Sequence, residues 1–291
     1  MKLKGIDKLR EKLPAYPGRK IYLLPLKGAV AAALAYIFLI GLDILPRLFS
    51  DIPLLVTIEP VIPILGSIFI GTIAISLVGT LWRRRDSMKS QYGQLSYQMM
   101  ISKGAIGIGL IMPVIFHAAT SIHLLPPVQP VNDLTSLFSS LALPLLGVTP
   151  ELDFWIRLVL SGIILVVGML IVRSTIFSFG IDYMAVVYLY FPEESEVQDH
   201  EIYSVVRHPV YMGGIILGAA AMIFNFSVYS ILFFVIVYLI FKVQIRREER
   251  ELIERFGDGY AEYREKVPAL HVRPRDFRAF FKFLRQSIRP S

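Results

Sequence analysis

The chain is 291 residues long, 55% hydrophobic and only 18% charged, with a mean hydropathy of +0.59. A soluble domain carries about 25% charged and about 45–50% apolar residues, so a soluble globular protein is excluded; the absence of Cys further excludes a disulfide framework, a thiolate metal site and a cysteine nucleophile. The net charge of +7 sits at the ends of apolar runs, where membrane topology and anionic headgroups account for it, so nucleic acid is not the expected partner.

In chain order, Leu3, Ile6, Leu9 and Leu13 make a short apolar stripe among basic residues, read as a weak interfacial helix. This leading segment is too charged and proline-interrupted for a signal peptide, and the run after it is long enough to be a retained span. Bilayer-crossing runs of about 20 residues then predict spans from about Tyr22 to Leu45, Val61 to Trp82, Gly104 to Leu125 and Phe154 to Phe179. A helical hairpin follows from Pro209 to about Lys242, turning at Asn225-Phe226-Ser227, with a first arm that barely spans. Leu134 to Val148, broken by Pro144, reads as an interfacial or re-entrant segment. Trp82 and Trp155 fall at span ends, where interfacial aromatics gather. The expected fold is all-α: a transmembrane bundle of about six spans with cytoplasmic C-terminal helices. Residues 1–150 form an N-terminal transmembrane region and residues 151–291 a core with a C-terminal segment.

Basic residues set the expected orientation. Lys2 to Lys20, Arg83-Arg84-Arg85 with Lys89 and Lys103, and Arg246 onward all fall on one side, whereas the other side carries Arg47 and Arg157. Both termini are then cytoplasmic, in the plasma membrane if the source is prokaryotic. The loop from Asp182 to Arg207 lies on that side although Asp182, Glu193, Glu194, Glu196, Asp199 and Glu201 make it acidic; carboxylates weigh little in the rule. In the tail, Phe277, Phe280, Phe281, Leu284 and Ile288 form one helical stripe and Arg278, Lys282, Arg285 and Arg289 another, a basic amphipathic helix suited to a membrane surface.

Two polar clusters bracket the hairpin. The first runs from Tyr203 through Arg207-His208-Pro209 to Tyr211, Gly213 and Gly214. Pro209 suits the first turn of a helix and holds His208 extended, which places Arg207 and His208 at a positive helix end. Gly214 and Gly218 have the spacing that lets another helix backbone come close. The second cluster, Arg246-Arg247-Glu248-Glu249-Arg250-Glu251, leaves the hairpin on the side where the first begins and leads into Phe256-Gly257, Tyr260, Tyr263 and Val267-Pro268. Each cluster alone reads as interfacial anchoring or a solvated helix face; their ordered combination reads as a site.

The ordered set Tyr-x-x-x-Arg-His-Pro-x-Tyr-x-Gly, helical hairpin, Glu pair, Phe-Gly-x-x-Tyr-x-x-Tyr and Val-Pro resembles the isoprenylcysteine carboxyl methyltransferase family, over Tyr203 to Pro268. Phospholipid methyltransferases share parts of it. The resemblance implies methyl transfer from S-adenosylmethionine, in a cytoplasm-facing pocket, to a lipid or lipidated acceptor reached from the bilayer, a prenylcysteine-type carboxylate first. Carried over residue by residue, it implies cofactor contacts from Tyr203, His208, Pro209, Tyr211, Gly213, Glu248 and Glu249, one Glu accepting from adenosyl hydroxyls. Catalytic roles go to Arg207, Arg246 and Arg247, with Arg207 fixing the loop or binding the cofactor carboxylate. Two positions depart from the pattern. Glu201 stands where the family usually has Gly, implying a different loop backbone, and Gln244 stands where prenylcysteine methylators typically carry Arg. A carboxylate attacking a sulfonium methyl needs alignment and desolvation rather than a base or a metal, and no His, Asp or Glu spacing resembles a metal site.

Other readings remain open: a phospholipid amine N-methyltransferase, an NADPH-dependent sterol-reductase-like enzyme, and a non-enzymatic lipid-binding or transport protein. No obligate protein partner is expected. His117 and His123 read as interior or interfacial histidines, and Glu59 as a structural residue at the outer end of the second span, within reach of water.

Overall fold

Apolar runs with few charges form helices in lipid because a helix satisfies every backbone polar group within itself. The structure, a computed structural model, describes residues 4–120 and 129–288, and among them there is no strand. Before residue 150 lie α1 (Ile6–Glu11), α2 (Leu23–Leu48), α3 (Pro53–Ile58), α4 (Ile62–Arg83), α5 (Arg85–Tyr92), α6 (Ser96–Thr120), α7 (Asp133–Ser139) and α8 (Ala142–Leu145). After it come α9 (Pro150–Phe179), α10 (Ile181–Met184), α11 (Pro209–Phe224), α12 (Val228–Phe256), α13 (Asp258–Lys266) and α14 (Phe277–Ile288). The segments containing α2, α4, α6, α9 and α12 are long and apolar enough to cross a membrane, and α11 is a shorter apolar helix. This is a multi-pass integral membrane protein. Leu3, His123, Leu125 and Arg289 of the expected pattern lie outside the described residues.

Local chemistry starts the elements where the sequence places them. Pro150 and Pro209 occupy the first turns of α9 and α11. Ser227 and Ser230 close a reciprocal capping box at the start of α12, so the hairpin turn is fixed by its own side chains. At a rise of about 1.5 Å per residue, α11 reaches only about 24 Å, the short arm expected. The re-entrant segment resolves into α7 and α8, tied to the hairpin turn by Ala142 N–H donating to the Phe226 carbonyl at 2.8 Å.

The stretches on either side of residue 150 interleave: α6 packs on α2, α4, α11 and α12, and α4 also packs on α12. Where α2 meets α6, a Cβ built on Gly109 falls 2.2 Å from the Gly28 carbonyl oxygen, so no larger residue fits that crossing. The glycine spacing in α11 works differently from its expectation. Gly214 admits the Phe241 ring and Gly218 faces Phe234 and Val237, all side chains of α12, while Gly213 makes the close approach, to Val172 and Gly168 of α9. Side chains of α12, rather than its backbone, meet α11 at these two glycines.

Both amphipathic ends are more deeply docked than a surface role requires. Leu9 and Leu13 are buried against Val187, Leu189, Tyr190 and Phe191. Lys8 and Lys12 pair with Glu194, the latter at 2.8 Å, so part of the basic leader neutralises the acidic loop. In α14, Phe280 and Leu284 pack on Ile202, Val205 and Val206, while Phe277 and Phe281 stay exposed. The reason is complementary apolar surface: the 187–191 and 202–206 loops present apolar side chains against which these short helices pack.

At the end of the bundle where α3 leads into α4, Glu59 is the structural residue expected but does not reach water. Glu59 is 2% exposed and cut off from water; its carboxylate takes Arg47 Nε at 3.1 Å and the amides of Val131 and Asn132 at 3.0 and 2.7 Å. One turn deeper, His117 joins Asp43 Oδ2 at 2.8 Å and Ser67 Oγ at 2.7 Å, its ring stacked on Phe233. A charge this deep needs a partner, and α2 supplies it from twelve residues away. His117 is the satisfied interior histidine the sequence suggests.

Candidate active site

The even number of traverses brings the two polar clusters to one end of the bundle. The Arg207 amide donates to the Pro268 carbonyl at 2.9 Å and the His208 amide to the Ala269 carbonyl at 3.1 Å. The segment after α13 therefore lies along the entry to α11. Tyr263 on α13 donates its hydroxyl to the Tyr203 carbonyl at 2.7 Å, and Phe179 stacks on the Tyr203 ring. These bonds fasten the loop that carries Arg207 and His208.

The charges meet across α11 and α12. Glu249 Oε1 accepts from Arg207 Nη2 at 2.6 Å and Nε at 3.1 Å, and lies 3.1 Å from His208 Nε2. The remaining Arg207 nitrogen donates to the Arg264 and Val267 carbonyls. Its donors are thus spent on holding loop, α12 and α13 together. Beside it, the Tyr211 hydroxyl donates to Glu248 Oε2 at 2.7 Å, with the Tyr211 ring against Phe241. Burial pushes the phenols of Tyr203, Tyr260 and Tyr263 above the ordinary tyrosine range, so they remain protonated donors at neutral pH.

The other expected site residues scatter. Pro209 is buried at the first turn of α11 and Gly213 faces α9. Arg246 is on the exposed face of α12. Arg247 reaches away to α4, donating to Gln244 Oε1 at 3.0 Å and toward the Ile75 carbonyl at 3.4 Å, its guanidinium seated where a side chain on Gly79 would stand. A helix advances about 100° per residue, so Arg247, two residues from Glu249, points to the other side of α12.

Two residues outside the expected set belong to this end. Gln244, one turn before Glu248, is buried beside Tyr211 with its Nε2 lacking a well-formed hydrogen bond, and the buried Tyr260 hydroxyl also lacks a partner. Buried donors are nearly always satisfied, so these two stand out beside the carboxylates, as Trp82 Nε1 and Ser96 Oγ do elsewhere. Spacing was the available signal, since Gln244 follows the i−4 step from Glu248 and Tyr260 the Phe-Gly-x-x-Tyr run. Glu201 takes φ +50°, a left-handed conformation that glycine adopts without steric cost.

The assembled end offers two carboxylates able to accept from hydroxyls, two unpartnered donors and aromatic walls, next to lipid-facing helices. Residues 156–259 match the family model described as phospholipid methyltransferase. The chain is 43% identical over 70 residues to a protein-S-isoprenylcysteine O-methyltransferase of Schizosaccharomyces pombe, covering 23% of this chain and 29% of the relative. It is 32% identical over 107 residues to protein-S-isoprenylcysteine O-methyltransferase A of Arabidopsis thaliana, covering 36% and 54%. With methanethiol S-methyltransferase 1 of Bradyrhizobium diazoefficiens it shares 38% over 69 residues, or 24% of each chain. The chain thus spans well under two thirds of the length of these relatives. No solved structure matches it significantly.

Proposed function

We infer the chemistry of this chain from its place in the phospholipid and isoprenylcysteine family of membrane methyltransferases, to which residues 156–259 belong: it transfers a methyl group from S-adenosylmethionine to an acceptor carried in the bilayer. The observation that carries this reading is the meeting of Arg207, His208 and Tyr211 with Glu248 and Glu249 across the hairpin.

The residues fit the cofactor. A carboxylate of the Glu pair accepts from a diol, and the unpartnered Tyr260 hydroxyl and Gln244 amide donate to its acceptors. Tyr203, His208 and Tyr211 line the entry of α11, with Pro209 setting the helix start; Gly213 contributes through packing on α9. When bound, S-adenosylmethionine supplies an electrophilic sulfonium methyl. Arg207 acts as a clamp, because its donors already hold Glu249 and two carbonyls. The chain's own task is to exclude water and align the acceptor within about 3–3.5 Å. Basic flanks on the termini and the α4–α6 connection support a cytoplasmic site with both termini on that side.

The first acceptor to test is a prenylcysteine-type carboxylate, on the named relatives. A second reading, an uncharged nucleophile such as a phospholipid amine, is favoured by Gln244: the cation nearest it, Arg247, is held against α4, so Gln244 offers a neutral donor where a carboxylate would want a charge. Calorimetry of detergent-purified protein with S-adenosylmethionine, S-adenosylhomocysteine and NADPH tests the cofactor. Saturable heat with the adenosyl compounds is expected; heat with NADPH alone overturns the reading in favour of a reductase. Label transfer to a prenylcysteine analogue or to phosphatidylethanolamine then separates the two acceptors.

A further inference from the structure

Only part of α14 is covered by protein. Phe280 and Leu284 are buried against Ile202, Val205 and Val206. Phe277 and Phe281 are 48% and 60% exposed, and Arg278, Lys282 and Arg285 are exposed with them. At about 100° per residue the three sets succeed one another round the helix: the packed pair, the phenyl rings about 60° on, and the cations about 90° beyond those. The helix carries no Asp or Glu.

The packing on α9 sets the height of this exposed face. The 30 residues of α9 reach about 45 Å, the thickness of a bilayer with both headgroup layers. α14 packs on α9, with Ser174 Oγ donating to the Phe283 carbonyl at 3.4 Å, five residues before α9 ends at Phe179. That contact lies about 8 Å inside the helix end, at the boundary of headgroups and acyl chains where amphipathic helices lie. Phenyl rings at this level reach acyl carbons, and the neighbouring cations reach phosphates. An acidic soluble protein matches the cations alone; a lipid surface matches both rows.

What α14 covers gives the contact a consequence. Val205 and Val206 lead directly into Arg207 and His208. A helix of 12 residues is marginal in water by itself, so its order depends on what meets it at both faces. We propose that anionic phospholipid headgroups seat the outer face of α14, and that the seated helix braces the 202–206 loop and the Arg207 and His208 that follow it. The brace does not depend on the methyl-transfer reading, because packing and charge define it and its readout is structural.

Hydrogen exchange of the full chain in nanodiscs tests it, comparing discs of phosphatidylcholine alone with discs that also contain phosphatidylglycerol. At low salt, phosphatidylglycerol is expected to slow amide exchange across 277–286 by about 100-fold, about five-fold for each of the three cations, and to slow 202–206 in parallel. Arg278→Gln with Lys282→Gln and Arg285→Gln abolishes the difference between discs in both segments. If that triple variant lowers the thermal midpoint, Lys282→Gln alone is read instead and reduces the difference about five-fold. Lys266→Gln, which removes an exposed cation of α13, leaves the difference intact; an equal loss there assigns it to overall charge and overturns the proposal. Equal exchange in the two discs also overturns it and leaves the basic face to an acidic soluble partner. So does protection of 277–286 with 202–206 unchanged, which makes α14 an anchor and not a brace.

Discussion

Two polar clusters sit at opposite ends of the same bundle, separated by the length of α4, about 33 Å. The outer one joins Asp43, Arg47, Glu59, Ser67 and His117 from α2, α4, α6 and the turn between them; the inner one joins Arg207, His208, Tyr211, Glu248 and Glu249 from the hairpin. Both bury charge. The outer cluster is sealed, its ion pair 2% exposed on both side chains, and the rings of Phe233 and Tyr229 cover it. The inner cluster keeps its carboxylate partly open, with Glu249 18% exposed, and lies beside two unpartnered donors. A closed network braces helices, whereas an open one with spare donors can hold a ligand.

Breaking the sealed pair gives the largest effect. Glu59→Ala removes the carboxylate that Arg47 and two backbone amides share, and the expected loss is about 3 kcal/mol of stability, read as a lower thermal midpoint in detergent with cofactor affinity per folded molecule unchanged. At the open end the outcome reverses. Glu249→Ala removes the carboxylate that Arg207 and His208 share but leaves Arg207 its two carbonyl partners, so the midpoint falls less than for Glu59→Ala, while S-adenosylmethionine affinity falls about 10–100-fold, the worth of a lost charge-assisted hydrogen bond of about 1.5–3 kcal/mol. Unchanged heat on titration refutes the placement of the pocket.

Smaller effects sharpen the contrast within the loop that serves the inner cluster. Glu201→Gly relieves a left-handed φ at an exposed position and stabilises by about 1 kcal/mol, measured by denaturation; no gain means the turn is not strained. The smallest effect is pH-dependent. Hydrogen bonds from Lys12 and Lys8 hold the Glu194 carboxyl below its usual range. With the folded value depressed, the unfolded state binds the extra proton first, so this stability is present above about pH 4.3 and is lost as pH falls through the lower folded value. Hydrogen exchange in α1 rises in that acid window, and Glu194→Gln removes the dependence.

Much of this was legible in the residues. The run lengths and the position of Pro209 placed the spanning helices, because hydropathy and helix starts are local properties, although α6 begins at Ser96, well before the expected Gly104, and α12 runs on to Phe256. The ordered motif located the inner cluster, because a ligand site repeats residue types at fixed helical steps. The Glu59–Arg47 pair was not legible: its partner lies across a helix end, and no periodicity connects them. The leader and tail also carried an amphipathic pattern that the sequence could assign only to a membrane surface. Half of each stripe is covered by protein, since an apolar stripe does not specify what buries it.

Composition and pattern thus determined by themselves that this chain is a multi-pass helical membrane protein with two polar clusters flanking a hairpin, since lipid leaves the backbone no alternative to helices. Tertiary structure decided which charges meet. It gave Arg207 to Glu249 and Arg247 to α4, turned Gly213 onto α9, and left Gln244 Nε2 and the Tyr260 hydroxyl without a well-formed hydrogen bond. Those outcomes depend on the rotation and depth of one helix against another, and packing rather than sequence spacing sets them.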